Sequence, residues 1–239
     1  MPESNDATPA YRGYRLQALY ALFRILNQEG SNNLVFQPEK LEDLSIRDEN
    51  DDLLEVIQVK SGRHINLSSF EKAFFQRIYT LIKRQKPRQI IIVSFGEVGS
   101  ELRQAIERDG PERERVSKKI RKICTDFILS DGEAKSILEK LKLELRNESE
   151  LTEKVNSRLR KALTCIDPYN AFDNLSYWLY VCSENKLSIT KSDVIKKLEN
   201  IGKFLAERDA YHEEWFRSIN PIDDREINRD ELEKLHEEL

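Results

Sequence analysis

At 239 residues the chain is long enough for one large domain or two ordinary ones, each with a proper core. A composition of 39% hydrophobic and 34% charged residues, with few glycines and prolines, excludes a disordered chain and describes a helix-rich globular one. The net charge of −4 argues against coating nucleic acid by bulk electrostatics, though a local basic groove remains compatible with it.

In chain order, Tyr14, Ala18, Leu19, Leu22, Phe23 and Leu26 recur at helical spacing and predict a helix from Ala10 to about Gln28. Gly30 to Asn33 break that pattern as a turn should. Strands are predicted over Leu34–Phe36, Leu41–Arg47 and Leu53–Val59, with the polar run Asp48–Asp52 as a hairpin turn between the last two. Ser68 followed by Glu71 has the form of a capping box opening a helix to about Gln85, and Gln89–Ser94 reads as a buried strand. The order α-β-β-β-α-β fits neither a TIM barrel nor a doubly wound dinucleotide fold. Beyond Phe95, helices are predicted over Glu101–Arg108, Glu112–Cys124, Gly132–Leu145, Leu151–Cys165, Ala171–Cys182 and Ser192–Phe216. Thr190 with Asp193 forms a cap for the last of these. The aromatic residues Tyr177, Trp178, Tyr211, Trp215 and Phe216 are expected in the core of this helical part.

The longest apolar run, Ile90–Val93 with Phe95 nearby, is too short to cross a bilayer. The polar, acidic stretch from Met1 to Pro9 lacks the pattern of a signal peptide, so the expected location is the cytoplasm, off the membrane. Cys124, Cys165 and Cys182, odd in number and widely spaced, fit buried thiols in a reducing compartment.

The hairpin carries the first chemical signal. With its turn centred near Asn50 and Asp51, Asp43 falls opposite Gln58, with Cβ atoms about 5 Å apart. Period-two alternation puts Gln58 and Lys60 on one face of their strand, Ile57 and Val59 on the other. An acid, an amide and an amine thus gather where burial without partners costs several kcal/mol. Such a set suits phosphodiester hydrolysis: a hard divalent ion takes oxygen ligands from Asp43 and Gln58, and Lys60 offsets charge developing on phosphate. The plainer readings are a solvated sheet edge for Gln58 and Lys60 and a turn-capping acid for Asp43.

The stretch Glu39-x-x-Glu42-Asp43-Leu44-x-Ile46, followed by Val56-Ile57-Gln58-Val59-Lys60-Ser61, resembles the Asp…Gln-x-Lys variant of the PD-(D/E)XK nuclease signature, as in Mrr-like restriction endonucleases. With Gly13-Tyr14-x-x-Gln17 upstream, it resembles the double-stranded-DNA endonuclease domain that serves as effector in CBASS and STAND-NTPase antiphage systems. The resemblance covers roughly residues 10 to 95. It implies a restriction-endonuclease-like αβββαβ core over residues 1–126, followed by an all-α C-terminal domain over 127–239 for assembly or linkage to a sensor. It further implies Asp43 and Gln58 as ligands of Mg²⁺, with Mn²⁺ as a substitute, and Lys60 as the catalytic lysine. Glu39 and Gln17 match family positions near the site. The implied partners are double-stranded DNA, further copies of the chain on activation, and a larger sensor or NTPase protein. The helical half departs from the pattern, with no G-x-x-x-x-G-K-[ST] loop.

Two other functions compete: a nuclease-fold module that binds nucleic acid without cutting it, and a helical assembly domain. Two basic clusters are available to phosphate, Lys83, Arg84, Lys86 and Arg88, and the helix from Arg113 to Lys122. The plainer readings are a helix C-terminus for the first and a solvated helix for the second.

Overall fold

The computed structural model describes residues 8–28, 33–39, 41–70, 72–107, 110–124, 129–162 and 168–219. They contain eight α-helices and a five-stranded mixed sheet, a mixed α/β architecture. The chain opens with α1 (Thr8–Leu26), followed by strands β1 (Val35–Pro38), β2 (Leu44–Arg47) and β3 (Leu53–Lys60). After β4 (His64–Ile65) come α2 (Lys72–Arg84), β5 (Gln89–Ser94), β6 (Glu97–Val98), α3 (Ser100–Glu107) and α4 (Pro111–Ile123). Then follow α5 (Asp131–Lys140), β7 (Leu141–Leu145), α6 (Glu148–Ala162), α7 (Pro168–Glu184) and α8 (Lys191–Ile219).

The sheet order is β1-β2-β3-β5-β7, antiparallel across its first two pairings and parallel across the last two. β4 and β6 form a separate small parallel pair. The open edge of β1 is covered by Ile189, whose N–H and carbonyl exchange 2.8 Å hydrogen bonds with Phe36. Such cover removes a site for unwanted strand addition.

The αβββαβ order expected from the sequence is present, with small shifts of boundary. The hairpin turn lies where expected, pinned by Asp48, whose Oδ1 accepts from the backbone N–H groups of Asn50 and Asp52. Three expectations need correction. The segment Gly132–Leu145 is helical only to Lys140; Leu141–Leu145 is a strand parallel to β5. The part beyond residue 126 is therefore not all-α, because the apolar strand Ile90–Val93 needs a partner on its second edge. Second, α2 is preceded by a short 3-10 turn at Leu67–Ser69, boxed by Asn66 and Ser69. The expected partner of Ser68, Glu71, lies outside the described residues. Third, Tyr177 and Tyr211 are exposed rather than core; the side chains of Trp215 and Phe216 lie outside the described residues. The expected boundary at 126/127 falls within residues 125–128, also outside them, as does Cys165; Cys124 and Cys182 are buried.

Residues up to Glu199 form one compact unit, and a second begins at Asn200. In the first, one face of the sheet (Val56, Ile90, Ile92, Leu141) packs on Phe74, Phe75 and Ile78 of α2, Val116 and Ile120 of α4, and Ile137 and Leu138 of α5. Each such side chain, fully buried, contributes roughly 1.5–3 kcal/mol. α1 packs against β3, α6 and α7, burying Leu16, Leu19, Tyr20, Leu22 and Ile25. Polar links fix α1 to the sheet: Arg24 pairs with Glu55 of β3 at 2.6 Å, and the Tyr20 hydroxyl donates to Glu144 of β7 at 2.9 Å. Among the described residues no helix is long and apolar enough to cross a membrane.

Candidate active site

Asp43 lies in the turn between β1 and β2, one residue before β2 begins. Glu39 opens that turn in the left-handed region at φ 49, with its N–H bonded to the Asp43 carbonyl at 3.1 Å. Because β2 pairs with β3 through Leu44 opposite Ile57, the next position outward sets Asp43 against Gln58, the register the sequence predicts. Lys60 and Ser94 pair at the ends of the parallel strands β3 and β5, at the same edge of the sheet. Carboxyl ends of parallel strands are where α/β sheets ordinarily form clefts.

The Asp43 carboxylate is held from both layers. Its Oδ2 accepts from Nε2 of Gln58 and from the N–H of Val59, both at 2.5 Å. Its Oδ1 accepts from Nε2 of Gln17 on α1 at 2.8 Å. Burial pushes this carboxyl up to about 6, and the neighbouring Glu42 adds to the rise. The Val59 N–H, the Gln58 amide and the Lys60 ammonium oppose it without cancelling it. Glu42 itself is tied to Arg77 at 2.6 Å.

Gln58 and Lys60 are half-buried, while Ile57 and Val59 are buried, as the alternation requires. The Lys60 ammonium lies 5.2 Å from the centre of the Phe70 ring. Ser45 is fully buried and donates to the Gln37 carbonyl at 3.4 Å. Glu39, Gln17 and Asp43 line one cavity of about 580 Å³ between α1 and α7. The Glu39 carboxylate accepts from the Ser183 hydroxyl at 2.9 Å, so Glu39 shares the cavity with Asp43 but not the hydrogen-bonded cluster. Gln17, Asp43 and Gln58 are thus brought together, Lys60 acts on Asp43 through its charge, and Glu39 stands to one side.

Among the described residues no three His, Cys, Asp or Glu side chains converge to hold a metal. The donor set still fits a hard divalent cation that is held by one or two carboxylates and completed by water and substrate oxygens. Asp43 is a half-buried carboxylate whose neighbours do not balance the cost of its desolvation. Gln58 faces it with its amide nitrogen, and half a turn of that amide would present Oε1 to a cation instead.

Solved structures resemble the fold in part. A Cap4 SAVED/CARF-domain containing receptor from Moraxella osloensis aligns over 78% of this chain and 46% of its own length, at 15% identity and a TM-score of 0.43. A Cap4 SAVED/CARF-domain containing receptor from Acinetobacter baumannii, with the cyclic trinucleotide 3′3′3′-cAAA, aligns over 77% of this chain and 43% of its own, at 14% identity and a TM-score of 0.49. The chain spans less than half the length of these structures. No protein-family model and no curated protein sequence matches it.

Two features escaped the sequence reading. Gly96 follows β5 where a Cβ would stand 2.2 Å from the Gly62 carbonyl oxygen. Only glycine lets this loop close on the segment after Lys60, where Phe95 N–H bonds the Lys60 carbonyl at 3.1 Å. A lone glycine after a buried strand is the available signal. The second is the cavity wall from α7, which needs a contact more than a hundred residues away in sequence. In the basic helix α4, by contrast, three cations are held in ion pairs: Arg115 and Lys119 with Glu101, and Arg121 with Asp131.

Proposed function

We propose that the chain is a metal-dependent endonuclease that hydrolyses phosphodiester bonds of double-stranded DNA. The observation that carries this reading is the half-buried Asp43 carboxylate, fixed by Gln17, Gln58 and the Val59 N–H beside Lys60 at the end of β3. In this reading Asp43 and Gln58 hold Mg²⁺ or Mn²⁺. The bound ion supplies Lewis acidity and a lowered water pKa. Gln17 and the Val59 N–H keep the Asp43 carboxylate from turning away, which lowers the cost of ordering the site during reaction. The Lys60 ammonium neutralises charge on a non-bridging phosphate oxygen and orients the attacking water.

The motif resemblance of Gly13-Tyr14-x-x-Gln17, Asp43 and Gln58-x-Lys60 extends the proposal to antiphage defence. There the chain acts with further copies of itself and with a sensor, since a double-strand break takes two cuts. The same resemblance assigns the N-terminal part to the nuclease and the helical part to assembly, with β7 carrying the nuclease sheet past residue 126, and the expected location is the cytoplasm.

One observation favours the second reading, a nucleic-acid-binding module without cleavage: the lack of a three-carboxylate cluster among the described residues. Incubation with supercoiled plasmid, with Mg²⁺ and with chelator, separates the two. Nicked and linear products in Mg²⁺ alone support the nuclease; retarded but intact plasmid supports the binding module.

A further inference from the structure

The cavity between α1 and α7 is walled by Tyr11, Tyr14, Tyr177 and Tyr180, which are 69%, 52%, 70% and 43% exposed. A cluster of exposed rings at one place on a surface marks a binding site more often than chance packing. Tyr14 and Tyr180 meet edge to face at 6.0 Å, so the groove has a built aromatic wall rather than loose rings. Ser176 lines the same cavity. The floor is continuous with the site, because Asp43 and Gln17 line this cavity too.

We propose that this groove receives an unpaired nucleobase of the strand whose phosphate lies at Asp43, so that double-stranded DNA opened at that nucleotide is the preferred substrate. The inference rests on the nuclease reading of Asp43. The bases of an intact duplex are already stacked on one another, and only an unpaired base offers a face to a tyrosine ring. The charges fit this orientation. The walls carry the carboxylates of Glu39 and Asp173, which repel phosphate but not a neutral base, and a carboxylate accepts from an exocyclic amine. Arg15, the one cation lining the cavity among the described residues, pairs with Glu148 at 2.9 Å. The tyrosine rings supply the stacking, which does not depend on sequence.

The test is binding, read separately from cleavage. The probe is a fluorescein-labelled single-stranded DNA roughly ten nucleotides long, alongside an abasic version of the same strand, with Ca²⁺ present. Anisotropy is expected to show that Tyr177→Ala weakens the normal strand about tenfold, leaves the abasic strand unchanged, and is rescued by Tyr177→Phe. Tyr177 is exposed, so its truncation spares the core. Equal loss on both strands, no loss on either, or no binding by the unmodified protein overturns the proposal. So does a change in sedimentation of Tyr177→Ala with DNA affinity intact, which assigns the groove to self-association. If the pattern holds but neither the labelled strand nor plasmid is cut in Mg²⁺, the groove stands and the nuclease reading falls.

Discussion

The side-chain amide of Gln58 donates to Oδ2 of Asp43 across 2.5 Å, joining neighbouring chain segments at the edge where β3 ends. With the Val59 N–H on the same oxygen and Gln17 on the other, the carboxylate is held in place but not neutralised.

Asp43 sits at about 6 in the folded protein against an ordinary value of 3.8. Between those values the folded chain keeps a proton that the unfolded chain has released. Its contribution to stability is therefore complete below the ordinary value and lost as pH rises through about 6. Without metal, the melting temperature of Asp43→Asn relative to the unmodified protein is expected to rise between about pH 4 and about pH 8. Cleavage needs the anion, so its rate is expected to fall as pH drops through about 6, with the midpoint moving lower as Mg²⁺ increases. A rate with no acid limb across that range contradicts the assignment.

Gln58→Glu sets a second carboxylate against Asp43. Without metal the two acids repel, so a lower melting temperature is expected. With Mg²⁺ or Mn²⁺ the added charge tightens binding, and the rise in melting temperature on adding metal should exceed that of the unmodified protein. Calorimetric titration checks this directly. Equal metal affinity in both proteins removes Gln58 from the ligand set.

How much of this was legible in the sequence depends on distance along the chain. Asp43, Gln58 and Lys60 were readable because one hairpin register and period-two alternation set their placement, and Ile57 and Val59 on the opposite face confirmed the phase. Thr190 with Asp193 was readable for the same local reason: the hydroxyl donates to Oδ2 of Asp193 at 2.7 Å. The strand Leu141–Leu145 was not, because Leu-Lys-Leu-Glu-Leu directly after a helix continues a helical pattern as easily as it begins a strand. What decides it is the open edge of β5, which no local pattern contains. Tyr177 was assigned to a core on its aromaticity alone, whereas α7 turns Ala171, Leu175 and Leu179 inward and Tyr177 outward.

Gly96→Ala drives a methyl group into the Gly62 carbonyl and pushes away the segment that follows Lys60. A loss of roughly 1–3 kcal/mol in unfolding free energy is expected, the usual cost of overpacking. Cleavage should fall further than stability alone explains. Chemical denaturation and initial rates on the same preparation measure both, and a fully active variant shows that the Lys60 segment needs no such support.

A chain ended at residue 126 loses β7 together with Ile137, Leu138 and Leu141 from the core that supports β5. It also exposes Ile90–Val93 as an unpaired strand edge. Such a fragment is expected to show no cooperative thermal transition by circular dichroism. A sharp transition in it would establish residues 1–126 as an independent domain.

The central claim is that Lys60 acts chemically rather than structurally. Its ammonium contacts the Phe70 ring from a half-buried position, so Lys60→Ala gives up about 0.5–1 kcal/mol of stability and leaves the fold intact. The direct measurement is the initial rate of supercoiled plasmid cleavage in Mg²⁺ by the unmodified protein and by Lys60→Ala, at matched circular dichroism. The account predicts metal-dependent cleavage by the first and a loss of about a hundredfold or more in the second. Equal rates in the two proteins, or no cleavage by either in any divalent metal, contradict it.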